Sequence, residues 1–280
     1  MPIVLIRPVA VGWKAHAALR RAGGLARVVA PLTASIYLEA GGEIVWLGRH
    51  DSPRHPRAML AASEPSAVGQ TLRIDLAGLD PWRPPRPRHA DVTALRSAAC
   101  DLLALLRQPR TDRVWPQGLG SLLAGVRPDF PLDRAVERVG EIAAACDRGD
   151  AERVMVAAEP LLGLGPGLTP SGDDFVGGVL FARHAVEPPG SAWAQAASTI
   201  VARAHDRTHP ISAALLEDLA AGEGHEPLHD LVDALAQGAI EDAWRAVQRL
   251  GRLGHSSGWD MLAGVMVGLA GAAALPPLGR

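Results

Sequence analysis

The pattern of apolar and polar positions changes period once along the chain. Between residues 26 and 76, short runs rich in Val, Ile, Tyr and Trp predict β-strands over 26–32, 35–40 and 43–48, with a further strand over 72–76. Gly41-Gly42 between two of these runs is a two-residue hairpin signal. Residues 80–88 (DPWRPPRPR) then pack four prolines into nine positions, which predicts a stiff extended connector without regular hydrogen bonding.

Beyond the connector the period is helical. Leu95, Ala99, Leu102, Leu103 and Leu106 share one face, as do Val136, Val139, Ile142, Ala143 and Cys146, and Ile240, Ala243, Trp244, Val247 and Leu250. Further helices are expected over 151–162, 191–204, 211–221 and 228–236. The expectation is an α+β chain: a β-rich N-terminal domain (1–80), a Pro-rich connector (81–90) and a larger, mostly helical domain (91–280).

A chain of 280 residues with 48% hydrophobic content supports a substantial buried core. The formal charge of −2 gives no global reason to expect nucleic acid or an anionic membrane as partner. Arg83, Arg86 and Arg88 in the connector read as solvated linker charges. Lys14 is the only lysine, so a Schiff-base or P-loop lysine mechanism has almost no candidate, and arginine must supply any cationic contact. Cys100 and Cys146 sit in apolar helical patterns without metal-type spacing, which fits a reducing, cytoplasmic setting. The apolar run 3–6 is too short for a signal-peptide core, and the Gly- and Ala-rich run 261–275, next to Asp260, predicts a buried helix rather than a membrane span.

The densest chemical signal is Gly163-Leu-Gly-Pro-Gly-Leu-Thr-Pro-Ser-Gly-Asp-Asp-Phe-Val-Gly-Gly178. Gly163, Gly165 and Gly167 allow tight turning, and Thr169-Pro170 is a plausible N-cap and first-turn pair, so a helix is expected to start at Thr169. Its free amides would face a ligand over the glycine loop. Asp173 and Asp174 would repel a naked anion there, so a bridging cation such as Mg²⁺ on these two carboxylates, or a neighbouring arginine, is expected to offset them. The purely structural alternative is that both acids complement the helix dipole while the glycines permit close packing. No lysine follows the loop as in a Walker A motif, and no strand with a ribose-binding acid frames it as in a dinucleotide fold.

A second start repeats the first: Ser171-Gly172-Asp173-Asp174 through Gly178 aligns with Ser257-Gly258-Trp259-Asp260 through Gly264. Ser257 with Asp260 is readable as a capping box, and Gly178 and Gly264 are placed to let two helices approach closely. Between the two lies His205-Asp-Arg-Thr-His-Pro210, in which Thr208 and Pro210 look like the start of a new helix. Arg207, His209 and His255 are candidates to face the ligand, whereas His205 with His209 makes a weak metal pair because a helix start separates them.

The segments GLGPGLTPSGDDFVGG (163–178), THPIS (208–212) and GHSSGWDMLAG (254–264) resemble the AllH-like family, which includes a subunit of oxamate carbamoyltransferase. The resemblance implies carbamoyl transfer between oxamate and phosphate in purine (allantoin) breakdown, carried out by an assembly of different subunits. On that reading Asp174, Ser171 and His255 would be catalytic. Gly165, Gly167, Thr169, Gly172, Asp173, Arg207, Ser256, Ser257 and Asp260 would bind a small anionic metabolite such as carbamoyl phosphate or oxamate. Mg²⁺ on Asp173 and Asp174 is the one cofactor candidate. The alternatives are a non-catalytic subunit that docks and stabilises a catalytic partner, and a small-molecule kinase or hydrolase, which the missing lysine disfavours.

Overall fold

The computed structural model describes residues 3–33, 35–62, 67–85, 91–108 and 116–279. The chain divides into two compact units, Met1–Pro85 with Gly224–Glu226, and Arg86–Glu223 with Pro227–Arg280. The class is α+β.

In the first unit, β1 (Val4–Ile6), β2 (Ala10–Gly12), α1 (Trp13–Arg21), β3 (Leu25–Pro31), β4 (Ser35–Ala40), β5 (Glu43–Arg49), β6 (Ala58–Ala61), β7 (Thr71–Ile74) and β8 (Pro81–Trp82) follow in order. The strands form one eight-stranded sheet in the order β1-β7-β3-β4-β5-β6-β2-β8. The hairpin β4–β5 closes on Gly41 and Gly42 at φ +59° and +85°, values that glycine adopts without a Cβ penalty. Ala15, Ala18 and Leu19 of α1 and Val28, Leu38, Leu47, Met59 and Leu72 of the strands make its core.

Four elements here escape the hydrophobic pattern. β1 and β2 have three residues each, too few to display a period, and α1 buries only two alanines and one leucine. All four residues of β6 (AMLA) are buried, so both faces of the strand are covered and no alternation can show. The connector also differs from expectation. Pro81–Trp82 forms β8, parallel to β2 (Val11↔Pro81, Gly12↔Trp82), which proline tolerates because β8 is an edge strand. Arg86 and Arg88 lie outside the described residues.

The second unit contains α2 (Val92–Arg107), α3 (Val136–Arg148), α4 (Ala151–Ala158), α5 (Ser171–Val186), α6 (Ala192–Arg207), α7 (Pro210–Ala220), α8 (Glu226–Ala236), α9 (Ile240–Leu250) and α10 (Ser257–Ala270), with a 3₁₀ segment at Gly118–Ala124. Each predicted apolar face is turned inward: Leu95, Ala99, Leu102, Leu103 and Leu106 are buried together with Val139, Ile142, Ala143, Val247 and Leu250. α5 and α10 run through the centre, buried along nearly their whole length. Among the described residues the stretch Ser257–Ala274 alone is long and apolar enough to cross a membrane, and 83% of it is buried inside the protein, as expected for a core helix.

The repeat seen at the two Gly-rich starts extends backwards through the preceding helices. Gly149 ahead of α4 and Gly238 ahead of α9 both adopt φ +67°. The buried residues Val154, Ala157, Ala158 and Leu161 correspond in order to Ala243, Ala246, Val247 and Leu250. Leu164 N–H donates to Leu161 O at 3.0 Å just as Leu253 N–H donates to Leu250 O at 2.8 Å. One helix–loop–helix device is therefore used twice in this unit.

Candidate functional site

The first copy begins where α4 ends. Gly163, Gly165 and Gly167 hold φ +78°, +121° and +94°, which carry the chain through a tight loop to Pro170. The helix starts at Ser171, not Thr169, with Pro170 in extended conformation as N-cap and its carbonyl accepting from Asp173 and Asp174 N–H. Thr169 is left outside the helix because its hydroxyl meets the Ser257 hydroxyl at 3.2 Å instead of capping α5. The Gly172 amide, expected to face a ligand, donates to Leu164 O at 2.9 Å. A Cβ on Gly172 would stand 2.0 Å from Leu161 O, and one on Gly258 would stand 1.7 Å from Leu250 O, so both starts need glycine for the same close approach.

The second copy departs from its expected capping box. Ser256, not Ser257, is the N-cap of α10, and no side chain caps that end. Asp260 makes no backbone cap, and its Oδ1 accepts the Leu119 N–H at 2.6 Å. The 3₁₀ segment Gly118–Ala124 carries no distinctive sequence pattern, yet it folds over this carboxylate. Gly118 sits at φ +58°, where a Cβ would lie 2.3 Å from Asp260 Oδ1. The available signal was the Gly118-Leu-Gly120 pair, too short and too common to be distinctive.

The two starts lie side by side. A Cβ on Gly178 would be 2.3 Å from Met261 O, and one on Gly264 would be 2.0 Å from Phe175 O, so α5 and α10 touch backbone to backbone. Further along, Gly268 meets Ala182 and Val179, so both helices run in the same direction with their N-termini together. Above this seam the hydroxyls of Thr169 and Ser257 pair at 3.2 Å, and those of Ser171 and Ser256 at 3.3 Å. Two positive helix ends thus converge on one head, which the first-turn carboxylates Asp174 and Asp260 oppose.

These carboxylates are 6% and 0% exposed. Burial pushes the Asp260 carboxyl up to about 6, against hydrogen bonds from Ser256, Ser171 and the Leu119 and Gly120 amides that pull it down. Burial raises Asp174 well above the usual carboxylate range, the charge of Asp260 adds to this, and hydrogen bonding from Ser257 opposes it. The arrangement is reciprocal: Ser171 of the first copy serves Asp260 of the second, and Ser257 serves Asp174. One oxygen of each acid, Oδ2, has no hydrogen-bond partner although it is buried.

Asp173 faces elsewhere. Its Oδ1 accepts the Gly163 N–H at 2.8 Å, and its Oδ2 accepts the Ser212 hydroxyl at 2.7 Å and the Thr208 hydroxyl. Burial raises its pKa while Thr208, Gly163 and Ser212 pull it down. The expected Asp173–Asp174 metal pair is therefore split, because adjacent residues on a helix point about 100° apart. Thr208 clamps Asp173 instead of starting α7. That helix is capped by His209, whose Nδ1 accepts the Ile211 N–H at 3.2 Å. Arg207 is exposed and donates to Glu159 at 2.7 Å. His255 is exposed in the loop ahead of Ser256. Among the described residues no group of three or more His, Cys, Asp or Glu side chains is placed to hold a metal.

Residues 161–269 match the profile of the family described as oxamate carbamoyltransferase subunit AllH. The matched stretch takes in both Gly-rich starts and the Thr208–Ser212 clamp, but not the Gly118–Ala124 segment that folds over Asp260. No solved structure matches the chain.

Proposed function

From a chain that is AllH-like over residues 161–269, we propose that this protein is a subunit of an oxamate carbamoyltransferase-type system whose α5–α10 head binds the small carbamoyl-bearing ligand. The observation that carries the reading is the mixed polarity of that head. Two helix N-termini favour anionic oxygen, while the buried Asp174 and Asp260 each hold an acceptor without a donor.

A naked phosphate satisfies the first requirement and is repelled by the second. A compound carrying both an anionic end and a carbamoyl NH₂ satisfies both, as oxamate and carbamoyl phosphate do. In that placement Asp174 and Asp260 accept from the NH₂ group and hold its plane. The hydroxyls of Thr169, Ser171, Ser256 and Ser257 line the mouth and donate to the carbonyl or the anionic oxygens, and the helix ends stabilise negative charge that develops on the carbonyl oxygen. Arg207, held on Glu159, is not needed for this arrangement.

Calorimetric titration of the purified chain with oxamate, carbamoyl phosphate and phosphate tests the reading. Saturable heat with the carbamoyl compounds, abolished in Asp174→Asn while the circular dichroism spectrum is unchanged, is the expected result. Absence of heat with all three would move the assignment to a docking subunit that stabilises a catalytic partner.

A further inference from the structure

We propose that the head also takes one divalent cation of the Mg²⁺ class, held by Asp174 from α5 and Asp260 from α10. The inference rests on the reading of the head as a ligand site and changes one contact in it: the Asp174 and Asp260 oxygens given there to the NH₂ group hold the ion, and the ion meets the ligand's anionic oxygens. It differs from the Asp173–Asp174 pairing suggested by sequence adjacency, because Asp173 has committed both its oxygens to Gly163, Thr208 and Ser212.

The first observation is the pair of orphaned acceptors. Asp174 Oδ2 and Asp260 Oδ2 are buried without a hydrogen-bond donor, and their carboxyls are 6% and 0% exposed. A buried carboxylate oxygen left unsatisfied is costly, and the two acids repel each other across the seam. The other oxygens are already committed in part: Asp260 Oδ1 takes the Leu119 amide, which fixes the carboxyl and leaves Oδ2 as its unpaired oxygen. The second observation is the donor set around them. Thr169, Ser171, Ser256 and Ser257 bring four hydroxyl oxygens and no sulfur or imidazole into the hydroxyl-paired rim. An all-oxygen set with two carboxylates suits a hard cation, which completes its shell with water and with anionic oxygens of a ligand. The rim residues Thr169, Ser256 and Ser257 are half-buried, whereas Asp174 and Asp260 beneath them are buried.

A cation here accounts for a feature that the helix ends alone leave unexplained. The head collects two positive helix termini and two acids. A dication between the acids removes their mutual repulsion and offers the anionic part of a ligand a direct partner. Asp174 and Asp260 descend from corresponding positions of the internal repeat, so each copy supplies one carboxylate to a shared ion.

The test is Mn²⁺ binding to the metal-stripped full chain, read by electron paramagnetic resonance, with Mg²⁺ as competitor. The expected outcome is saturable uptake of one Mn²⁺ per chain, displaced by Mg²⁺, and weakened about tenfold or more in both Asp174→Asn and Asp260→Asn. Because a buried substitution can disturb folding, Ser257→Ala at the half-exposed rim is the second variant. It should weaken uptake with an unchanged thermal midpoint, whereas Asp230→Asn on α8 should leave it unaltered. No Mn²⁺ uptake, or uptake indifferent to all three head variants, overturns the inference and is the result expected if the two carboxyls share a proton instead. If Mn²⁺ fails to bind while oxamate or carbamoyl phosphate still gives saturable heat, the cation inference falls and the ligand reading stands. Mn²⁺ uptake without any metabolite binding gives the reverse.

Discussion

Neighbours in sequence, Asp173 and Asp174 have separate work. Asp173 ties the glycine loop to the turn between α6 and α7, with Gly163, Thr208 and Ser212 all donating to it. Asp174 faces the second helix and keeps an unpaired oxygen. The division predicts different variants. Ser212→Ala removes one of the three donors to a buried carboxylate and should destabilise the protein by about 1–3 kcal/mol in denaturant titration. The head itself should be little affected, so on the proposed ligand reading the affinity for oxamate or carbamoyl phosphate should change far less than in Asp174→Asn. A variant that lost affinity and kept its stability would place Ser212 in the ligand site instead.

At the scale of elements, what matters is the backbone contact between α5 and α10. Gly178 and Gly264 remove the two side chains that would separate them, and in each case the nearest atom is a carbonyl of the partner helix, which cannot swing aside. Gly264→Ala should therefore destabilise by about 3 kcal/mol, near the top of the overpacking range, and lower the thermal midpoint by roughly 6–12 °C. Gly140→Ala in α3 is the control. A Cβ there meets nothing within 4 Å, and the exchange should leave the midpoint unchanged or raise it slightly. If both variants melt alike, the helix seam is looser than described. The pairing of these two helices was foreshadowed in the repeated Ser-Gly-x-Asp pattern. Their parallel direction and the reciprocal service of serine and aspartate were not, since sequence similarity carries no information about how two copies are oriented.

At the scale of the molecule, the two units are interleaved in the chain. Gly224–Glu226, the end of the α7–α8 loop and the first residue of α8, belongs to the β-rich unit. There the His225 ring lies 4.6 Å from His55 and 5.9 Å from Trp46, and Glu226 N–H donates to Arg54 O at 2.9 Å. Residues 1–85 expressed alone lose these contacts and should melt at a lower temperature by circular dichroism than the same sheet in the intact chain, where a full set of contacts is present. An equal midpoint would make the short segment dispensable.

The α+β class, the helical faces, the Gly41-Gly42 hairpin and the two Gly-rich starts follow from the sequence itself. Period, turn chemistry and capping residues act over a few positions, and the local pattern carries them. The misread features all depend on partners far along the chain. Thr169 and Ser257 satisfy each other rather than capping helices, and Asp260 finds an amide at Leu119 instead of one at its own helix start. Pro81–Trp82 becomes a strand because β2 presents an edge. Those choices were settled by tertiary structure, because a polar group with a local and a distant partner both in reach is decided by burial, which only the assembled core determines.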